Sequence, residues 1–326
     1  MRLDRLLRRH VPWRSRPNLK ALVETGGVKV NDCAAKPATR VSPGDHVKTP
    51  IRDPRGLSRQ SLERILDVLM EDPDFIVIDK PAGLSTHATG RHLKENVVSA
   101  LRWRYGESCP MPVHRLDLET SGALLCARNR EAHRALALQF ERREVKKRYL
   151  AIVSGSPREE RGILQGRLGR DAGSRVRIRV SVLASEGAPA RTDYRVVGRW
   201  ERFSLLELWP RTGRQHQIRA QLEAAGHPVL GDKIYGPDEE HFLAHLEGRL
   251  SAGAKSALQL ERHALHAATL VFRHPRTRRI LRAEAPLPRD MQRFLEGPEK
   301  IVSEERLPEP PGALQSKGEG GVSPRL

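Results

Sequence analysis

Hydrophobic residues recur every three or four positions in two stretches near the start of the chain. They are Leu3, Leu6 and Leu7 in the first stretch and Leu19, Leu22 and Val23 in the second. This spacing places side chains on one face of a helix, and the glycine pair at 26–27 ends the second stretch. The pattern predicts two short amphipathic helices, followed by short strands in VKVND (28–32) and DHVKT (45–49).

A longer series of strand-like and helix-like runs begins near Leu69. Runs rich in β-branched and aromatic residues predict strands in FIVIDK (75–80), RYLAIV (148–153), RTDYRVVGRW (191–200) and FSLLELWP (203–210). Amphipathic runs predict helices in EAHRALALQFER (131–142) and QHQIRAQLEAAG (215–226). The runs lack a regular βαβ alternation. We therefore expect an α+β fold, in which a mainly antiparallel mixed sheet with flanking helices follows a small α+β domain.

Composition divides the chain into four parts. Residues 1–50 form the small domain, 51–68 are a polar, arginine-rich linker, and 69–296 form the large domain. Residues 297–326 are rich in proline, glycine and glutamate. Such a segment buries too little apolar surface to fold, so we expect a disordered tail.

The chain is strongly basic, with a net charge of +18 and a pI near 10.6. The first fifty residues alone contain eleven Lys and Arg against four Asp and Glu. This balance favours a polyanionic partner, either nucleic acid or an anionic membrane surface. No apolar run is long enough to span a membrane, and no secretory signal precedes the first helix. The three cysteines form no C-x-x-C pair, which fits a reducing cytosol.

Three familiar kinds of site have little support. The glycines of GRLGRDAG (166–173) lack the spacing of a nucleotide-binding loop. His241 and His245 lie four residues apart, but no Cys or carboxylate pattern completes a zinc site. Cys109 lies near His114 without further signs of an activated thiol. No metal is therefore expected.

Two polar segments remain unexplained, HRLDLETSG (114–122) and RTGRQHQIR (211–219). The first places Arg115 and Asp117 before a small-residue turn that leads into an apolar run. The second joins a strand end to a helix start through a turn dense in donors, which suits an anion. A structural role in ion pairs and capping turns explains these residues as well as a catalytic or anion-binding role does.

The first segment resembles the H-R-L-D-x-x-T-S-G signature of the RluA family of RNA pseudouridine synthases. Other blocks are similar to that family and occur in its order: KPAGLSTH (80–87), KKRYLAIV (146–153), RTGRQHQIR, AGHPVLGDKIYG (225–236) and LHAATLVFRHP (265–275). Residues 1–50 resemble the small αL RNA-binding domain of the ribosomal-protein type that precedes some members. The usual VNG of that domain is VND (30–32) here, and Asp tolerates the left-handed conformation of such a turn.

The resemblance implies an isomerase that converts uridine to pseudouridine within RNA, without a cofactor or metal. It implies Asp117 as the catalytic carboxylate, Tyr149 as the tyrosine that stacks on the uracil, and Arg219 as the salt-bridge partner of Asp117. A carboxylate in a pocket that excludes water needs such a cation to stay ionised. Arg214 is the second choice for that partner.

The resemblance also implies RNA contacts. A uridine in folded RNA must be flipped out of its stack, and Arg115 resembles the residue that fills the vacated space. Further RNA-binding side chains are expected at Arg214 beside the pocket and at Arg5, Arg16, Lys20 and Lys29 in the basic N-terminal domain.

Two kinds of RNA are candidates for the substrate. Family members with the αL domain more often act on large-subunit ribosomal RNA, which favours that RNA over transfer RNA. Two other classes stay possible, namely a catalytically inactive RNA-binding or ribosome-assembly protein and a basic membrane-surface protein. We expect a cytoplasmic monomer that binds RNA and no membrane.

Overall fold

The computed structural model describes residues 1–10, 16–49, 66–88 and 96–297. Most of the predicted linker and the predicted tail from residue 298 onward lie outside these residues. Within them, none of the helices has both the length and the apolar character needed to cross a bilayer.

The N-terminal domain packs two helices against a small antiparallel sheet. Its elements are α1 (Leu3–His10), α2 (Arg16–Glu24), β1 (Lys29–Val30), β2 (Cys33–Ala34) and β3 (Val47–Lys48), with strand order β2-β1-β3. Its core contains Leu3, Leu7, Leu19, Val23, Val28, Ala35 and Val41. The predicted helical stripes therefore face this core. The turn between β1 and β2 places Asn31 and Asp32 at φ angles of 50° and 64°, which the VND sequence tolerates.

The large domain is built on an eleven-stranded sheet with the order β10-β9-β11-β12-β8-β13-β7-β5-β4, in which β14 pairs with β13 and β6 with β7. The strands are β4 (Asp67–Glu71), β5 (Phe75–Lys80), β6 (Met111–Pro112), β7 (Ser121–Ala127), β8 (Lys146–Ser154), β9 (Arg161–Arg170), β10 (Val180–Leu183), β11 (Ala188–Arg199), β12 (Phe203–Pro210), β13 (Leu265–Arg273) and β14 (Ile280–Glu284). The four predicted strands and the α+β class are confirmed. β4 begins two residues before the predicted domain boundary.

Helices cover the sheet on several sides. They are α3 (Val97–Tyr105), α4 (Arg130–Glu141), α5 (Gln217–Ala224), α6 (Glu240–Leu246), α7 (Ala252–Leu258) and α8 (Arg289–Glu296), with a 3₁₀ turn at Gly106–Ser108. Ala132 and Leu136 of α4 are buried against β5, β7 and β13. Ile218 and Leu222 of α5 share a core with Met291 of α8 over β8 and β12. This core fixes the position of α5, which carries Arg219.

One parallel contact joins two antiparallel parts of the sheet. β13 pairs in parallel with β7 through His266 with Ser121 and Ala267 with Gly122, and we call these four residues the seam. Gly122 has a φ of 112°, and a Cβ there would lie 2.3 Å from the Ala267 carbonyl oxygen. Ser121 Oγ also lies 2.9 Å from His266 Nδ1. Only glycine allows the strands to approach this closely beside the segment that carries Asp117.

Candidate active site

The loop that carries Asp117 runs between β6 and β7, and a buried lysine donates hydrogen bonds to it and to the neighbouring segment 81–84. Lys80 Nζ donates to the carbonyl oxygens of Leu84, Pro81 and Leu118 at 2.7, 2.8 and 3.2 Å. Burial lowers the pKa of Lys80 to about 7. The three acceptors match the three protons of an ammonium, so the protonated form satisfies all of them.

His114 supports the same loop from behind. Its Nε2 accepts a hydrogen bond from the Leu125 amide at 3.1 Å, and its ring stacks on Phe140 at 4.5 Å. Burial lowers the pKa of His114 to about 3, so the ring is neutral at physiological pH. Leu116 is buried and its backbone exchanges hydrogen bonds with Thr86 Oγ1. With His114 and Leu116 packed against the protein, Arg115 between them is exposed, and Asp117 lines the cavity.

Arg219 is the cation that meets Asp117. Its Nη1 donates to Asp117 Oδ2 at 3.0 Å, while its Nε and Nη2 donate to the two carboxylate oxygens of Asp232 at 2.6 and 2.8 Å. Arg214 precedes the helix, lies exposed at the cavity rim and directs Nε toward the Pro189 carbonyl oxygen. The ion pair with Asp117 is therefore made by Arg219, whose position on α5 directs its side chain to the carboxylate, and not by Arg214.

The carboxylate of Asp117 remains ionised despite its position. Burial alone would raise the pKa of Asp117, but the charges and hydrogen bond of its neighbours, His216 and Arg219 foremost, hold it below the ordinary value. Burial lowers the pKa of His216 to about 4, so this ring is uncharged near pH 7. Arg219 therefore carries the stabilisation at physiological pH. The Asp117 side chain is 22% exposed, which leaves it within reach of a substrate.

A cavity of about 970 Å³ lies above this pair. Its lining includes the predicted residues Arg115, Asp117, Tyr149, Arg214 and Arg219. The other predicted RNA-binding residues lie in the N-terminal domain. There Arg5, Lys20 and Lys29 are exposed, while the Arg16 side chain is outside the described part of the structure. The sequence-predicted residues thus divide between the cavity and the N-terminal domain.

Tyr149 lies on β8 between the two cores that meet beside the cavity. Burial raises its pKa, and the negative charge of Asp117 raises it further. The phenol is therefore protonated at neutral pH. Such a ring offers a flat apolar surface for a base and a hydroxyl that can take part in proton transfer.

We expect Tyr149→Phe to separate these two properties. If the ring acts by stacking, the variant keeps RNA affinity and much of the turnover. If the hydroxyl transfers a proton, turnover falls about 100-fold while affinity holds. Turnover and RNA binding measured side by side distinguish the two, and Tyr149→Leu serves as the control that removes the ring. A Leu variant with intact turnover would remove Tyr149 from the site.

Several polar residues of the site were not identified from the sequence. They are Lys80 and Glu119 around the loop and His216, Asp232 and His263 around the ion pair. The one local signal was Lys80, a charged residue at the end of an apolar strand that is fully buried in the fold. The others became visible only when distant segments were brought together.

Known proteins resemble the chain over nearly its whole length. The family RNA pseudouridylate synthase matches residues 74–224, and the S4 domain matches residues 1–47. The ribosomal large subunit pseudouridine synthase D of Nitrosomonas europaea is 36% identical over 304 residues, which cover 91% of this chain and 84% of that protein. The uncharacterized RNA pseudouridine synthase YlyB of Bacillus subtilis is 33% identical over 90% of this chain and 93% of its own.

A solved structure agrees with these relatives. The human RNA pseudouridylate synthase domain containing 4 has a TM-score of 0.57 and 27% identity, and the match covers 73% of this chain and 94% of that one. The chain therefore belongs to the RluA family of RNA pseudouridine synthases and is an isomerase with an N-terminal S4 domain.

Proposed function

We propose that this protein converts specific uridines of large-subunit ribosomal RNA to pseudouridine, with Asp117 as the reacting carboxylate. The observation that carries the proposal is the Asp117–Arg219 ion pair at the base of a cavity that also contains Tyr149. The N. europaea relative is named for large-subunit ribosomal RNA, which supports that choice of substrate. We further propose that the enzyme acts as a monomer in the cytoplasm.

The reaction moves the uracil from N1 to C5 attachment. Asp117 either forms a bond to C1′ or removes a sugar proton, while the bonding pair between N1 and C1′ leaves with the uracil. The base then turns, and C5 forms a bond to C1′ as the carboxylate is released or returns its proton. The hydrogen on C5 leaves to solvent as a proton, and N1, which kept the bonding pair, takes up a proton in exchange. No oxidant or reductant is required, because the substrate and product are isomers.

Arg115 and Tyr149, which both line the cavity, complete the proposed site. Arg115 is exposed next to Asp117, so its guanidinium can enter the helix of the RNA and fill the space of the flipped nucleotide. Tyr149 stacks on the extruded uracil inside the cavity. Arg214 at the rim contacts a phosphate of the same RNA.

The test is release of tritium from RNA labelled at uridine C5. Transcripts of large-subunit ribosomal RNA, small-subunit ribosomal RNA and transfer RNA are compared at equal uridine concentration. We expect release from the large-subunit transcript at a defined position, confirmed by chemical mapping of pseudouridine. Release from transfer RNA alone would replace the proposed substrate, and no release from any of the three would contradict the proposed activity.

The basic N-terminal surface yields a separate prediction. Replacing Arg5, Lys20 and Lys29 together by Gln weakens RNA binding, because these exposed cations face solvent on the S4 domain. The slope of log affinity against log salt becomes shallower by about 0.7 to 0.9 for each phosphate that the variant no longer neutralises. Filter binding between low and moderate salt measures both quantities. Three other exposed arginines, Arg134, Arg289 and Arg293, supply a control of equal charge, and an equal loss in both variants would contradict a specific anchor.

A further inference from the structure

Asp232 holds Arg219 along one complete edge of its guanidinium. Nε and Nη2 of Arg219 donate to separate oxygens of Asp232, and the Asp232 side chain is fully buried. Asp232 Oδ1 also accepts the backbone N–H groups of Ile234 and Tyr235 at 2.9 and 3.0 Å. A bidentate pair of this kind fixes the plane and direction of an arginine. Arg219 therefore has only its Nη1 corner left for Asp117.

The segment around Asp232 is itself rigid, and we call residues 231–236 the cradle. Gly231 has a φ of 75°, and a Cβ there would lie 2.0 Å from the Arg262 carbonyl oxygen. A Cβ on Gly236 would lie 2.1 Å from the Asp232 carbonyl oxygen. Tyr235 lies fully buried, with the Arg219 guanidinium 5.0 Å from its ring centroid. Within the cradle, the Asp232 carboxylate thus accepts from one edge of the Arg219 guanidinium, and the same guanidinium lies over the Tyr235 ring.

The cradle also orients the second group beside Asp117. Tyr235 Oη accepts the Val180 N–H at 3.0 Å and lies 3.1 Å from His216 Nδ1. When the Tyr235 hydroxyl donates to Nδ1, the neutral His216 ring carries its proton on Nε2. That Nε2 lies 4.0 Å from Asp117 Oδ2. Arg219 and His216 therefore both lie on the side of Oδ2 of the Asp117 carboxylate.

We propose that Asp232 is a positioning residue that confines Arg219 to Oδ2 of Asp117 and so leaves Oδ1 as the reacting oxygen. The proposal rests on the proposed role of Asp117 in the isomerisation. Among the described residues, Arg219 Nη1 donates to Asp117 Oδ2 at 3.0 Å, and His216 Nε2 lies 4.0 Å from the same oxygen. An arginine free of Asp232 turns to engage a carboxylate through two donors, because bidentate pairing is its favoured geometry. Both Asp117 oxygens would then be occupied in the ground state.

The direct test is Asp232→Asn. The amide oxygen keeps an acceptor for the turn N–H groups and for one guanidinium N–H, while the charge and the second acceptor are removed. We expect kcat to fall about 100-fold with KM unchanged, because the reacting oxygen is covered while the RNA contacts are intact. Asp290→Asn is the matched control, since Asp290 holds Arg262 through the same two-point contact at 2.6 and 2.9 Å outside the cavity.

A double-mutant cycle asks whether Asp232 acts through Arg219. Lysine at position 219 has one ammonium and no second edge for Asp232 to hold. In the Arg219→Lys background we therefore expect Asp232→Asn to change kcat less than threefold. An additive 100-fold loss in that background would overturn the proposal, because the effect would then bypass Arg219.

A readout without RNA keeps this test separate from the proposed function. In the wild-type protein, Arg219 should give two distinct Nη nitrogen signals in NMR spectra, and their chemical shifts should change in Asp232→Asn as the guanidinium exchanges Asp232 for a second contact with Asp117. Circular dichroism establishes that each variant is folded. Arg219 Nη signals that keep their wild-type chemical shifts in a folded Asp232→Asn protein would overturn the positioning role, even if the wild type released no tritium from any RNA. A wild-type kcat in the folded variant would overturn it as well.

Discussion

We expect Asp117→Asn to abolish tritium release from labelled RNA. The change keeps the size of the side chain and an oxygen that can accept from Arg219 Nη1, whose distance to Oδ2 is 3.0 Å. An amide can neither form the bond to C1′ nor act as an effective base. Turnover should fall by at least ~10⁴-fold, below the detection limit of the assay. RNA affinity should persist or rise slightly, since one negative charge is removed near the phosphates.

This result requires that the variant be folded and bind RNA. Circular dichroism and filter binding at two salt concentrations provide those controls. Asp290→Asn is a useful comparison that should keep tritium release, because Asp290 lies outside the cavity and accepts from Arg262 at 2.6 and 2.9 Å rather than from Arg219. A folded, RNA-binding Asp117→Asn protein with wild-type tritium release would exclude Asp117 from the chemistry.

The second large effect is on stability. Arg219→Met leaves Asp232, whose side chain is fully buried, without a cation and also removes the partner of Asp117. Breaking a buried pair from one side lowers the free energy of unfolding by about 3 to 5 kcal/mol. Urea unfolding followed by circular dichroism measures this change at pH 7. Arg293→Met, which alters an exposed side chain of α8, should stay within about 0.5 kcal/mol of the wild type.

The stability difference between wild type and Arg219→Met should narrow at acidic pH. In the wild type, burial opposes ionisation of Asp232, but Arg219 outweighs it and holds the pKa well below the ordinary range. That stabilisation is present above the ordinary carboxyl pKa and is lost as the pH falls. In the variant, burial without a cation raises the pKa of Asp232, so its cost shrinks as the group protonates. A difference that stayed constant from pH 7 to about pH 5 would contradict this account.

Local patterns predicted much of the architecture. The strand FIVIDK became β5, and the helix over residues 131–142 became α4 with Ala132 and Leu136 buried as the spacing required. These features depend on neighbours in sequence, so they can be read from it. The two-residue strand β2 was not predicted, since Cys33 and Ala34 carry no alternating pattern.

The site depended on contacts that no local pattern contains. The family resemblance pointed to Asp117, Arg219 and Tyr149, whereas spacing alone could not separate Arg219 from Arg214. Thr120 meets His263 across 143 residues of chain, and Arg219 meets Asp117 across 102. Such pairs form only when sheets and helices pack together. The residues around one member of a pair therefore do not identify the other member in the sequence. Asp232 was missed for the same reason.

The seam makes the strand that follows Asp117 depend on residues that are translated late in synthesis. Ser121 meets His266, which is translated 145 residues later, and until then the edge of β7 lacks that partner. Domains fold as their residues leave the ribosome, N-terminal parts first. The S4 domain can thus be folded while the carboxylate of Asp117 still awaits Arg219. We expect a chain arrested before β13 to lack turnover, because β7 and β8 then both lack the strand that pairs between them.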